Sequence, residues 1–92
     1  MQDRIIQGCR RTAAEQRYIL SLLAIFPRLG EARRREIRAL IEGLTDGPAE
    51  GRALFSVLVR GESLQWANES TGVPIRRLRE LRRAFFDRLP IE

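Results

Sequence analysis

The chain has 92 residues, 43% of them hydrophobic, which suits one domain with a modest core and argues against general disorder. Its 17 basic residues, every one Arg, stand against 12 acidic ones for a net charge of +5, and there is no His. With one Cys and no His, zinc sites, Cys–His pairs and Ser–His–Asp triads all lack members, so neither an enzyme, a metal, a cofactor nor a small-molecule substrate is expected.

A single Cys forms no internal disulfide, and the expected compartment is a reducing cytoplasm. No segment alternates apolar and polar residues long enough for a half-buried strand, whereas helical spacing recurs throughout. The expected fold is all-α, a compact bundle of about five helices with a helix-turn-helix at its C-terminal end.

Residues 1–11, with Ile5, Ile6 and the small, partly buried Cys9, read as an ordered arm or an extra helical turn. Thr12 followed by Glu15 is a capping box. The helix it starts, 13–26, sets Ile19, Leu22, Leu23 and Phe26 on one stripe and stops at Pro27. The uncharged run at 18–26 is shorter than the roughly 20 residues of a membrane helix and lies too far in for a secretory signal. Its stripe serves either the chain's own core or a homodimer contact, so 1–30 reads as arm and helix and 31–92 as the helix-turn-helix unit of one domain.

A second helix is predicted from 31 to about 42, burying Ile37, Leu40, Ile41 and Leu44, with Gly43 as its cap. Arg33, Arg34, Arg35 and Arg38 on it form a solvated face or add backbone contacts to a partner. At 45–51, TDGPAEG signals a turn, with Pro48 suited to the first position of a third helix that runs to about 60. That helix buries Leu54, Phe55 and Leu58 and ends at Gly61. A short helix near 63–71 and a long one near 74–88, closed by Pro90, complete the chain.

The last two helices meet at Gly72, where a turn commonly needs positive φ. Leu64 and Val73, with Leu78, Leu81 and Phe85, supply the apolar positions that hold both helices on a body. Positions 76, 79, 80 and 83 then face away, as Arg76, Arg79, Glu80 and Arg83, flanked by Arg77 and Arg82. Such a front attracts phosphates, and Arg forks fit guanine edges. By itself an arginine row is more often a solvated helix face. Trp66 reads as a half-buried anchor.

LQWANESTGVPIRRLREL, at 64–81, resembles the second half of sigma-factor region 4, the part that reads the −35 promoter element. Leu64, Gln65, Glu69, Gly72, Val73, Arg77, Leu78, Arg79 and Leu81 stand in that register without a gap, and Ala84, Phe85 and Leu89 follow its apolar spacing. Upstream, GPAEGRALFSVLVRGESL is similar to the preceding helix of that family. The likeness covers about 45 residues, and four-helix output domains of response regulators share its spacing. Four positions depart from the pattern: Trp66 stands where a polar residue is common, Asn68 and Thr71 replace apolar residues, and Pro74 stands where a Ser caps the recognition helix.

What the resemblance implies is a helix-turn-helix regulator of transcription that binds double-stranded DNA through a recognition helix at 74–88. Arg76, Arg79, Glu80 and Arg83 are the expected base-edge contacts, and Ser63, Gln65, Arg77 and Arg82 the phosphate contacts. Nothing in the chain resembles the sigma region that melts promoter DNA, so a small stand-alone bacterial, phage or plasmid regulator is expected. The alternative is a protein-interaction module that mimics region 4 and binds RNA polymerase or another regulator.

Overall fold

The computed structural model describes Ile6 and residues 8–91. The expectation for Ile5 lies outside the described residues. Five helices follow one another: α1 (Ala13–Ala24), α2 (Glu31–Leu44), α3 (Pro48–Leu58), α4 (Leu64–Thr71) and α5 (Ile75–Arg88), with no strand among the described residues. The all-α bundle expected from the spacing of apolar residues is the fold.

Local chemistry sets most of the boundaries. The Thr12 hydroxyl accepts the Glu15 N–H at 3.1 Å, and the Glu15 carboxylate accepts the Thr12 N–H at 3.0 Å, the reciprocal capping box. Helix α1 ends at Ala24 rather than at 26. Pro27, which has no N–H to continue the ladder, sits instead in a short 3-10 turn at Phe26–Arg28. Pro48 opens α3 as foreseen.

Gly43, expected to cap α2, lies inside it; the helix runs on to Leu44. Thr45 closes it, its hydroxyl donating to the Ile41 carbonyl at 2.9 Å. Leu44 is half-buried against the core, so one more residue in the helix keeps an apolar contact that a stop at 42 would forfeit.

The core has two parts. The larger gathers Ile19, Leu23 and Phe26 from the first helix and its turn, Ile37 and Ile41 from α2, Leu54 and Leu58 from α3, and Leu81, Phe85, Phe86 and Leu89 from α5 and its end. The smaller lies under α4, the turn after it and the start of α5, and joins Ala53, Ala67, Val73 and Leu78. Helices α3 and α4 pack against each other under the turn. The reason is side-chain size: Ala53 and Ala67, both fully buried, meet where the two helices press together.

Among the described residues one polar side chain, that of Gln16, is buried. Gln16 sits on the Ile19–Leu23 side of α1, and its amide accepts the Ile6 N–H at 2.9 Å and donates to the Arg11 carbonyl at 3.1 Å. Both bonds fasten the arm that precedes α1, so a buried amide is satisfied at each end.

Candidate nucleic-acid interface

Three residues, Gly72, Val73 and Pro74, join α4 to α5. Gly72 takes φ +80°, and its N–H bonds the Asn68 carbonyl at 2.8 Å. Asn68 sends its side-chain amide across the turn to the Val73 carbonyl at 2.8 Å. The Thr71 hydroxyl donates to the Ala67 carbonyl at 2.7 Å and accepts the Val73 N–H at 3.3 Å. Asn68 and Thr71, two of the departures from the resembled pattern, therefore lock the turn with side-chain hydrogen bonds. Pro74 occupies the cap position of α5 with φ −61° and offers no side-chain acceptor.

Val73 and Leu78 then bury the turn and the first part of α5 against Ala53 and Ala67. With Leu78, Leu81 and Phe85 buried, the opposite side of α5 is turned outward, and Arg76, Arg79, Glu80 and Arg83 are all exposed. Arg76 and Arg79 meet no carboxylate among the described residues. Arg79 lies in the second turn of α5 and Arg76 in the first, where the helix dipole already presents positive charge and where no side chain caps the N–H groups. Cations are disfavoured there unless an anion answers them, and that end of a helix is where phosphate binds.

The flanking arginines behave differently. Arg77 is gripped from α3: its Nε donates to Glu50 Oε2 at 2.9 Å, with Asp46 at 3.5 Å and Glu80 at 3.8 Å. The Arg77 hydrogen bond, and next the Asp46 N–H at 2.9 Å, hold the Glu50 carboxyl below its ordinary range against a smaller upward push from burial. Arg82 is half-buried, with its Nε shut off from solvent. These two side chains are thus drawn into the body rather than held out beside the front.

Ser63 caps α4, its hydroxyl oxygen accepting the Trp66 N–H at 3.0 Å while its own proton stays available to an acceptor. Gln65 is exposed and donates to Glu69 at 3.2 Å. Trp66 is about half-buried, with 46% of it exposed, because Ala67 takes the inward position of α4.

At the far end of α5 the arm closes in. Arg11 donates to the carbonyls of Phe86 at 2.9 Å and Leu89 at 2.6 Å, and Arg10 reaches that of Asp87 at 2.6 Å. Asp87 accepts the Arg10 N–H at 2.9 Å and the Cys9 thiol at 3.2 Å. Burial pushes the Asp87 carboxyl up, yet the Arg10 N–H, the Cys9 thiol and the charges of Arg10 and Arg83 together hold it below its ordinary range. Burial first, and then Asp87, push the Cys9 thiol up against the opposing pull of the Arg11 N–H, so it is held as a thiol. Gly8 lies against Arg83 so closely that a Cβ there would come within 3.2 Å of its guanidinium.

The Arg77–Glu50 clamp and the arm contacts carry no short-range sequence signal, since they join residues 27 and 75–78 positions apart. Only Gln16 could have been found, as a polar residue at the position three before Ile19 on the apolar stripe. The arginines of α2 are engaged within the chain: Arg33 with Glu36 and the Pro90 carbonyl, Arg34 with the Leu29 carbonyl, Arg35 with Glu31, and Arg38 over the rings of Phe26 and Phe55. Among the described residues no cluster of His, Cys, Asp and Glu is placed to hold a metal, and no helix is long and apolar enough to cross a membrane. Comparison of the chain with protein-family models, with curated proteins and with solved structures finds no match.

Proposed function

We propose that the chain is a sequence-specific DNA-binding regulator of transcription that inserts α5 into a major groove. The observation that carries the reading is the row of exposed Arg76, Arg79, Glu80 and Arg83 on a helix whose other side is buried behind a three-residue turn. Arg76 and Arg79 bring unanswered charge to the opening turns of α5, and Arg79 and Arg83 read base edges while Glu80 accepts from cytosine. Ser63 and Gln65 approach phosphate from the start of α4. Arg77 acts as a positioning residue, holding α5 on α3 through Glu50.

The longest extent of the molecule, 33 Å, lets two copies lie side by side on half-sites spaced roughly 34 Å apart, one turn of B-DNA. The Ile19, Leu23 and Phe26 stripe lies within the chain's own core, which leaves Tyr18, Leu20 and Ile25, each nearly half exposed, for a homodimer through α1. A palindromic site selected from a random duplex pool supports that dimer, and a single half-site removes it.

Gel shifts on the selected duplex over a salt series test the assignment. Affinity falls steeply as salt rises, and Arg79→Ala and Arg83→Ala each lose about 1–3 kcal/mol of binding. Both variants binding as well as the parent sinks the reading. A second reading, a module that binds RNA polymerase or another protein, is favoured by the exposed ring of Trp66. It is supported instead when heparin and bulk DNA fail to retain the chain and Trp66→Ala abolishes capture of polymerase.

A further inference from the structure

On the side of α3 turned away from α4 and α5 lies an open groove of about 800 Å3, walled by α2 and α3. Ile41 and Phe55 supply its apolar floor, and Arg38, Arg52 and Arg60 surround it, with Glu42 the one acidic residue in the lining. Helical spacing separates the two surfaces of α3. Glu50, Ala53 and Val57 face the helix-turn-helix, whereas Pro48, Arg52 and Phe55 face the groove.

Two of the groove's three arginines, Arg52 and Arg60, meet no carboxylate among the described residues. Arg38 is held at 5.3 Å over the Phe26 ring and 5.2 Å over the Phe55 ring, an attraction that leaves its N–H donors free of hydrogen bonds. Gly51 leaves one wall bare, so a chain can approach the α3 backbone there. Three cations around an apolar floor repel one another and are complementary to a ligand that is both anionic and apolar. A DNA backbone supplies the anions but offers nothing to cover the exposed part of Phe55.

We propose that this groove docks an acidic segment of a partner protein, seating an apolar side chain on Phe55 while its carboxylates pair with Arg52, Arg60 and Arg38. The interaction is separate from the DNA contact proposed for α5, since the two surfaces lie on opposite sides of α3.

Random peptides displayed on phage and panned against the full chain identify the ligand, and enriched sequences are then synthesised with a fluorescent label for anisotropy. The expected winners carry Asp and Glu beside Leu or an aromatic residue. Arg52→Glu with Arg60→Glu weakens them by about tenfold or more, and raised salt weakens them in the parent chain. Gly51→Met gives a second arm. A Cβ at Gly51 makes only an ordinary 3.7 Å contact with Thr45, and Met favours the helix, so this variant folds and blocks the groove by bulk.

Peptides without an acidic bias overturn the proposal, as do peptides that bind both variants like the parent or that are lost on Arg79→Glu instead. Binding of the selected duplex is the control. Loss of DNA affinity in Arg52→Glu with Arg60→Glu assigns this face to nucleic acid and overturns the docking site. Failure of Arg79→Ala to weaken DNA binding bears on α5 alone.

Discussion

The arginines of α5 divide by what answers their charge. Arg77 has Glu50, Asp46 and Glu80; Arg76 and Arg79 have no acidic partner among the described residues, although Arg76 sits in the first turn of the helix, the end least hospitable to cations. A local rule broken without an internal compensation is what a binding residue looks like. Glycine shows a comparable division. Gly72 holds φ +80° in open space, so Gly72→Ala meets no clash and loses about 1–2 kcal/mol through the backbone alone. Gly43 lies inside α2, also in open space, and Gly43→Ala gains about 0.5–1 kcal/mol. Urea denaturation of the two variants checks both signs; equal shifts contradict the difference in backbone. Asparagine and threonine in an apolar pattern read as faults at 68 and 71 in the sequence, and their value in the turn depends on carbonyls that only the fold brings near.

Helix α4 has eight residues and is too short to persist alone, so its stability comes from packing. That packing rests on Ala67 and Ala53, both fully buried in one cluster between α3 and α4. Ala67→Leu overfills the contact and destabilises the chain by about 1–3 kcal/mol, read by thermal denaturation; an unchanged melting temperature shows that the pair has slack. Helix α5 is held on α3 also by charge. Glu50 has a folded pKa below its unfolded one, so its contribution is fully present above the ordinary carboxylate range and is lost as pH falls through the lowered folded value. Urea titrations of the parent and Glu50→Gln from about pH 7 down to about pH 3 are expected to converge at the acid end. A gap that stays constant across that range removes Glu50 as the titrating group. The three elements of the candidate interface were legible as a short helix, a glycine turn and an amphipathic helix. Their anchoring to α3 was not, because residues 50 and 77 lie on separate helices with no shared periodicity.

Across the whole molecule, the start of the chain secures its end. Arg11 covers the last carbonyls of α5, which have no partners in the helix itself, and Gln16 fixes the arm that carries Arg11. Arg11→Ala leaves those carbonyls unanswered and lowers stability by about 1–3 kcal/mol. For a domain of this size that is roughly 4–8 °C per kcal/mol in melting temperature. A melt unchanged in Arg11→Ala means that water serves those carbonyls equally well. The same closure brings Gly8 against Arg83, so arm and front meet at the distal end of α5.

The helices, their order and the inward places of Leu78, Leu81 and Phe85 were readable from spacing, prolines and caps that act within a few residues, whereas the burial of Phe86 was not. The sequence by itself also determined which arginines stand opposite Leu78, Leu81 and Phe85, since a helix with one buried side leaves no choice for the other. Tertiary structure alone decided which charges are already answered. The pairing of Arg77 with Glu50, the hold of Arg11 on α5 and the unanswered Arg52 and Arg60 in their groove all depend on distances between helices, and no local pattern encodes those distances.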